Sequence, residues 1–217
     1  MYAFISYQIA DKFVARKIKE LLQEAGIDSF MAHVDVNVSE EWRLKILAEI
    51  GLADLFVSLW SKNYYDSCWC IQESGIASFR KDLTVIPLSI DGSIPLGFAS
   101  NIQSTKINPT NVQLSDLMPG IIKAEPDFGI KLVFKNIEES RSFRGAEANF
   151  QKALPYLSTL TPEQGKKLLK ISIGNNQIHH AGLCVTEYLP EILAKYGYLL
   201  EPNEHKFLTE ILESYAT

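Results

Sequence analysis

Trp69 and Glu73 stand four residues apart in Ser67 to Arg80, a stretch of helical spacing. An indole and a carboxylate therefore emerge on one face, a turn apart. Such a pair can hold an electron-poor aromatic ring beside a sugar. The ring stacks on the indole, and the carboxylate favours positive charge developing on the ribose. Spacing alone also describes a packing anchor beside a solvated charge, the more common meaning of Trp and Glu on an amphipathic helix. Nearby, Cys68-Trp69-Cys70 is too short and isolated for a zinc site, which wants four ligands, so no metal is expected. With Cys184 the chain has three cysteines, which make no secreted disulfide scaffold; reduced, half-buried thiols are expected. His33 reads as a solvent-facing loop residue and His179-His180 as helix surface.

The elements that must position this pair follow from hydrophobic periodicity. Tyr2 to Ser6 reads as a first strand. From Asp11 the spacing turns helical, with Val14, Ile18, Leu21, Leu22 and Ala25 on one face, Asp11 at the carboxylate-favouring start and Gly26 as the stop. Ile27 to Ala32 is a second strand and His33 to Glu41 a polar loop. Trp42 to Ala53 is a helix with Trp42, Ile46, Leu47 and Ile50 on its face. Leu55 to Trp60 is a nearly unbroken apolar run, as a central strand buried on both faces requires. Leu83 to Ile90 reads as a fourth strand, a reading that Pro87 weakens because it removes one ladder donor. Ile102 to Ile107 is a short edge strand, and Leu114 to Ile122 a last helix. Strands alternating with helices imply βαβ crossovers and a parallel sheet covered on both faces. In such a sheet the ligand crevice lies beyond the carboxyl ends of the strands, placing the segments after Ser6, Ala32 and Trp60 on one rim.

After Pro126-Asp127-Phe128-Gly129 helical spacing dominates. One helix is expected over Asn136 to Leu154. Thr161-Pro162-Glu163-Gln164 is a capping box with proline at the first helical position. Leu183 to Tyr196 is expected to kink at Pro190 and end at Gly197. Pro202-Asn203 opens a final helix carrying Phe207, Leu208, Ile211, Leu212 and Tyr215. The expected division is 1–122 and 123–217.

Composition bounds the function. With 47% hydrophobic and 22% charged residues in 217, the chain can bury a sizeable core. A net charge of −5 gives no field for nucleic acid or an anionic membrane. No apolar run reaches the ~18 residues that span a bilayer, and the first residues lack a signal-peptide pattern. A cytoplasmic location is expected.

Phe4-Ile5-Ser6-Tyr7 followed by Asp11, then Trp42, then Ser61-Lys62-Asn63-Tyr64, then Trp69-Cys70-Ile71-Gln72-Glu73 resemble the successive boxes of TIR (Toll/interleukin-1 receptor/resistance protein) domains, in the family's order and spacing. Val85-Ile86-Pro87-Leu88 resembles its late strand. The resemblance covers about residues 1–122. It implies a flavodoxin-like parallel five-stranded sheet with helices on both faces, followed here by a small all-helical region. Some TIR domains are non-catalytic assembly modules. Others cleave NAD⁺ at the nicotinamide–ribose bond and make ADP-ribose or cyclic ADP-ribose-type products, and these require the glutamate of the Trp-Cys-x-x-Glu box, matched by Glu73.

The resemblance therefore implies a catalytic Glu73, substrate contacts from Phe4, Ser6, Gln8, Ile9 and Trp69, NAD⁺ as substrate rather than cofactor, and self-association through TIR domains. In the bacterial case it implies antiviral signalling through a nucleotide product sensed by a separate effector. Phe4 also fits simple core, Trp69 a packing anchor, and Ser61 and Asn63 the shaping of a turn. The loop His33 to Glu41 departs from the family pattern, lacking the usual acidic start and the proline or glycine tip. That puts the mode of assembly in question. A non-catalytic adaptor is the alternative. A response-regulator-like domain would need an acidic Mg²⁺ cluster after the first and third strands, and none is present there.

Overall fold

Tyr2–Ser6 forms β1, and every residue from Ala3 to Ser6 is buried. The computed structural model describes residues 1–31 and 41–215. The chain divides into two compact units, Met1–Pro126 and Asp127–Thr217.

In the first unit, β1 leads through a 3₁₀ turn, Ile9–Asp11, into α1, Lys12–Glu24, whose buried face is Val14, Ala15, Ile18 and Leu22. Gly26 turns the chain with φ 79°, a conformation that favours glycine. There follow β2 (Asp28–Met31), α2 (Trp42–Leu52), β3 (Leu55–Trp60), α3 (Lys62–Tyr65), α4 (Cys68–Phe79), β4 (Thr84–Ser89), β5 (Thr105–Lys106) and α5 (Met118–Ala124). All neighbouring strands are parallel, in the order β2-β1-β3-β4-β5. This is the flavodoxin-like arrangement, and β3 at its centre is buried along its whole length.

The pleat sorts side chains to two faces. Phe4 pairs with Phe30 and Phe56, and Phe56 with Val85, giving one row across the sheet. That row packs with Ile46 and Ile50 of α2 and Ala77 of α4. On the opposite face Ile86 lies against Gly120 of α5, so closely that an added Cβ would sit 2.3 Å from Ile86 Cγ1. Pro87 does not weaken β4. Thr84 N–H and Ile90 N–H donate toward the β3 side, to Asp54 and Trp60 carbonyls. By alternation Pro87 points the other way, where pairing with β5 begins only at Leu88.

On α2 the expected face needs correction. Ile46 and Ile50 are buried, but Leu47 is exposed and Glu49 is buried instead. The Glu49 carboxylate takes the Tyr2 hydroxyl and the Lys45 ammonium. The loop expected at 33–41 lies outside the described residues except for Glu41.

The second unit is helical: α6 (Pro126–Glu138), α7 (Phe143–Leu157), α8 (Pro162–Gly174), α9 (Asn176–His179), α10 (Leu189–Tyr196) and α11 (Pro202–Ser214). The single helix expected over Asn136 to Leu154 is instead the end of α6 and most of α7. Polar side chains make the break. Ser142 caps α7 by accepting from Gly145 N–H. The Asn149 amide donates to the Asn136 carbonyl, and the Asn175 amide to those of Glu138 and Ser140, satisfying the carbonyls that end α6.

The Thr161/Gln164 capping box forms at the start of α8. At Pro190 the helix changes pitch. A π-helical turn, Cys184–Tyr188, runs into α10 and leaves Pro190 in its first turn, where a missing N–H costs least. Two further expectations are corrected. Of the apolar face expected on α11, only Leu208 is fully buried. His179 is buried rather than on the surface, its Nδ1 donating to the Ser172 carbonyl at 2.9 Å, while Phe207 meets its ring edge-on.

Candidate active site

The chain reverses its direction of winding between β1 and β3, so their carboxyl ends flank an open crevice. Ser6 ends β1 and is paired with Ser58 of β3. Two serine caps start the helices that reach this rim. Ser61 Oγ accepts from Tyr64 N–H at the start of α3, and Ser67 Oγ from Cys70 N–H at the start of α4. Asp11, expected to cap α1, makes no side-chain cap. It accepts instead from Ser61 Oγ at 2.6 Å and Asn63 Nδ2 at 3.3 Å, tying the exit of β3 to the start of α1.

On α4, Glu73 is 5% exposed and Trp69, a turn earlier, 46%. Both line a cavity of about 160 Å³ with Ile5, Tyr7, Trp42, Ser67 and Cys70. A cavity near 150 Å³ admits one benzene-sized ring, whereas whole ligands occupy several hundred. Among the described residues, then, the cavity suits one ring of a larger molecule.

The Glu73 carboxylate accepts from Ser6 Oγ through Oε2 at 2.5 Å. Oε1 has no hydrogen-bond partner among the described residues. Burial pushes the Glu73 carboxyl up to about 7, and the Ser6 hydrogen bond opposes the rise. Burial likewise lifts the Cys70 thiol to about 12, making it a poor nucleophile.

The expected site residues divide. Glu73, Trp69 and Ser6 come together. Phe4 is fully buried among Phe30 and Phe56, stacked on Phe56 at 5.5 Å, and is not in the lining of this cavity. Gln8 folds back so that its Oε1 accepts from Ala10 N–H, and Ile9 is half exposed; neither lines the cavity. Trp42, Tyr7, Ser67 and Cys70 line it without having been singled out as site residues. Trp42, Tyr7 and Cys70 belong to the family-like boxes, and that was their only signal. Cys68 is exposed and Cys70 and Cys184 buried, so none is half-buried. Among the described residues no three His, Cys, Asp or Glu side chains gather as a metal site.

The family model described as TIR domain matches residues 3–117. The chain belongs to the TIR domain family. A search of curated proteins gives no match. Membership places the chain in a family of signalling or NAD⁺-cleaving domains, whose members commonly self-associate. Among the described residues no helix of this TIR protein is long and apolar enough to cross a membrane.

Proposed function

We propose that this TIR domain cleaves the nicotinamide–ribose bond of NAD⁺, with Glu73 as the catalytic residue. The observation that carries this reading is a buried carboxylate, held through one oxygen and with no hydrogen-bond partner at the other among the described residues, on the wall of a cavity sized for one ring. Breaking the glycosidic bond builds oxocarbenium character on the ribose, as in glycoside hydrolysis. The bonding electrons leave with nicotinamide and cancel its ring charge, so no general acid is needed. Glu73 stabilises the cationic sugar, and its low-dielectric surroundings strengthen that attraction. Water capture at the anomeric carbon gives ADP-ribose and one proton; capture by an atom of the same molecule gives a cyclic product and one proton. Trp69 offers the exposed indole face for stacking. The product acts as an immune signal, read in the antiviral setting by a separate effector.

The test is nicotinamide release from NAD⁺, with product analysis, at dilute and at high protein concentration. Glu73→Gln should lower turnover by about a hundredfold or more, the scale of losing a main electrostatic stabiliser. Equal rates for the two proteins would exclude Glu73 chemistry. No turnover at any concentration would leave the assembly module.

A further inference from the structure

Behind Glu73, away from the cavity, a line of buried hydroxyls joins three elements. Ser6 from β1 is 1% exposed, Tyr64 from α3 0% and Ser74 from α4 4%. Ser6 Oγ lies 2.7 Å from Tyr64 Oη, and Tyr64 Oη 2.7 Å from Ser74 Oγ. We propose that Ser6, Tyr64 and Ser74 are positioning residues, a directed hydroxyl relay that holds Glu73 Oε2 and thereby presents Oε1, ionised, to the substrate. The proposal rests on the reading of Glu73 as the reacting carboxylate.

Counting protons gives the relay its direction. An ionised carboxylate only accepts, so the single Ser6 proton points to Glu73. Ser6 must then accept from Tyr64, which commits the one Tyr64 proton although the Cys70 carbonyl lies 3.1 Å away. Tyr64 in turn accepts from Ser74. All three protons therefore run toward Glu73, and each bond polarises the next in a buried setting. When Glu73 is protonated the order can reverse, with Glu73 donating to Ser6. A neutral carboxyl accepts from Ser6 more weakly than a carboxylate does, so the relay favours the ionised form.

Among the described residues no cation does this work. The titratable groups facing Glu73 among the described residues are Tyr64 from α3, Cys70 from α4 and Tyr7 from the segment after β1; α2 contributes Trp42, which does not titrate. No lysine, arginine or histidine among the described residues lines the cavity. Burial raises the Tyr64 phenol well above its usual range, so it remains a proton donor throughout.

The experiment uses the full chain. NAD⁺ turnover is measured across the neutral pH range for the wild type, Ser6→Ala and Tyr64→Phe. Alongside it, the Glu73 carboxyl is titrated by infrared difference spectroscopy, its band identified by loss in Glu73→Gln. In Ser6→Ala the acid limb of kcat should move about one pH unit higher, so kcat below the limb falls about tenfold and recovers in alkali, with KM little changed. Tyr64→Phe, which keeps the ring and Ser6, should move the limb the same way by less. If both variants only melt earlier, with acid limb and carboxyl titration unmoved, the hydroxyls are mere packing and the proposal falls. If the wild type itself is inactive, the function reading falls, and the infrared titration still decides whether the relay sets the ionisation of Glu73.

Discussion

Glu73 is a costly residue to keep. Its carboxyl rises from 4.5 to about 7, burial being the cause. Between those values the native state holds a proton that the unfolded chain has released, so stability declines as pH rises through that window. Above neutrality the loss is on the order of 3 kcal/mol. Glu73→Gln does not titrate and keeps an oxygen for the Ser6 hydroxyl. It should therefore be more stable than the wild type in mild alkali, by an amount that shrinks as pH falls and disappears below about pH 4.5. Thermal unfolding at several pH values checks this; a Gln variant less stable throughout would contradict it. Such a trade of stability for a reactive group is expected where function is stored. Asp11 shows the opposite economy: placed like a helix cap, it is used to hold Ser61 and Asn63 together.

At the scale of elements, two glycines decide how closely helices approach. Gly120 lets α5 rest on Ile86 of β4, and Gly165 lets α8 meet the Tyr196 ring of α10, where an added Cβ would lie 2.3 Å from the ring. Tyr196 cannot yield easily, because its hydroxyl donates to the buried-side Leu160 carbonyl at 2.8 Å. Gly165→Ala should therefore cost about 1–3 kcal/mol despite its better helix propensity, the usual penalty of overpacking. Urea unfolding reads the change, and a neutral or stabilising result would show that the ring can move aside. Periodicity made β1, α1, β3 and α4 legible because each buries a face over several residues. It failed at the α6–α7 break, where Asn149 and Asn175 come from elsewhere in the unit to end a helix that its own residues would continue.

For the whole molecule, the strand order creates the site. Only because β1 and β3 are neighbours does Ser6 meet Glu73, a residue 67 positions later. The first unit has its own sheet and phenylalanine layer, ending at Pro126. Residues 1–126 are of ordinary domain length and should fold alone. Hydrogen exchange on that fragment should show lasting protection of the β1 and β3 amides; exchange at the rate of an unfolded chain would show that the sheet needs the second unit.

By itself the amino-acid sequence determined the alternation of strands and helices, the helical second half, the Thr161 cap and the pairing of Trp69 with Glu73 on one face. These depend on short-range periodicity and on backbone groups a few residues away. Family-like boxes brought Ser6 into view but assigned it to substrate. Only the tertiary structure decided that Ser6 hydrogen-bonds Glu73, that Phe4 is core, that His179 is buried, and that Tyr64 and Ser74 stand behind the carboxylate. Those facts depend on which segments become neighbours in space, and on the removal of water that makes each buried proton choose one partner.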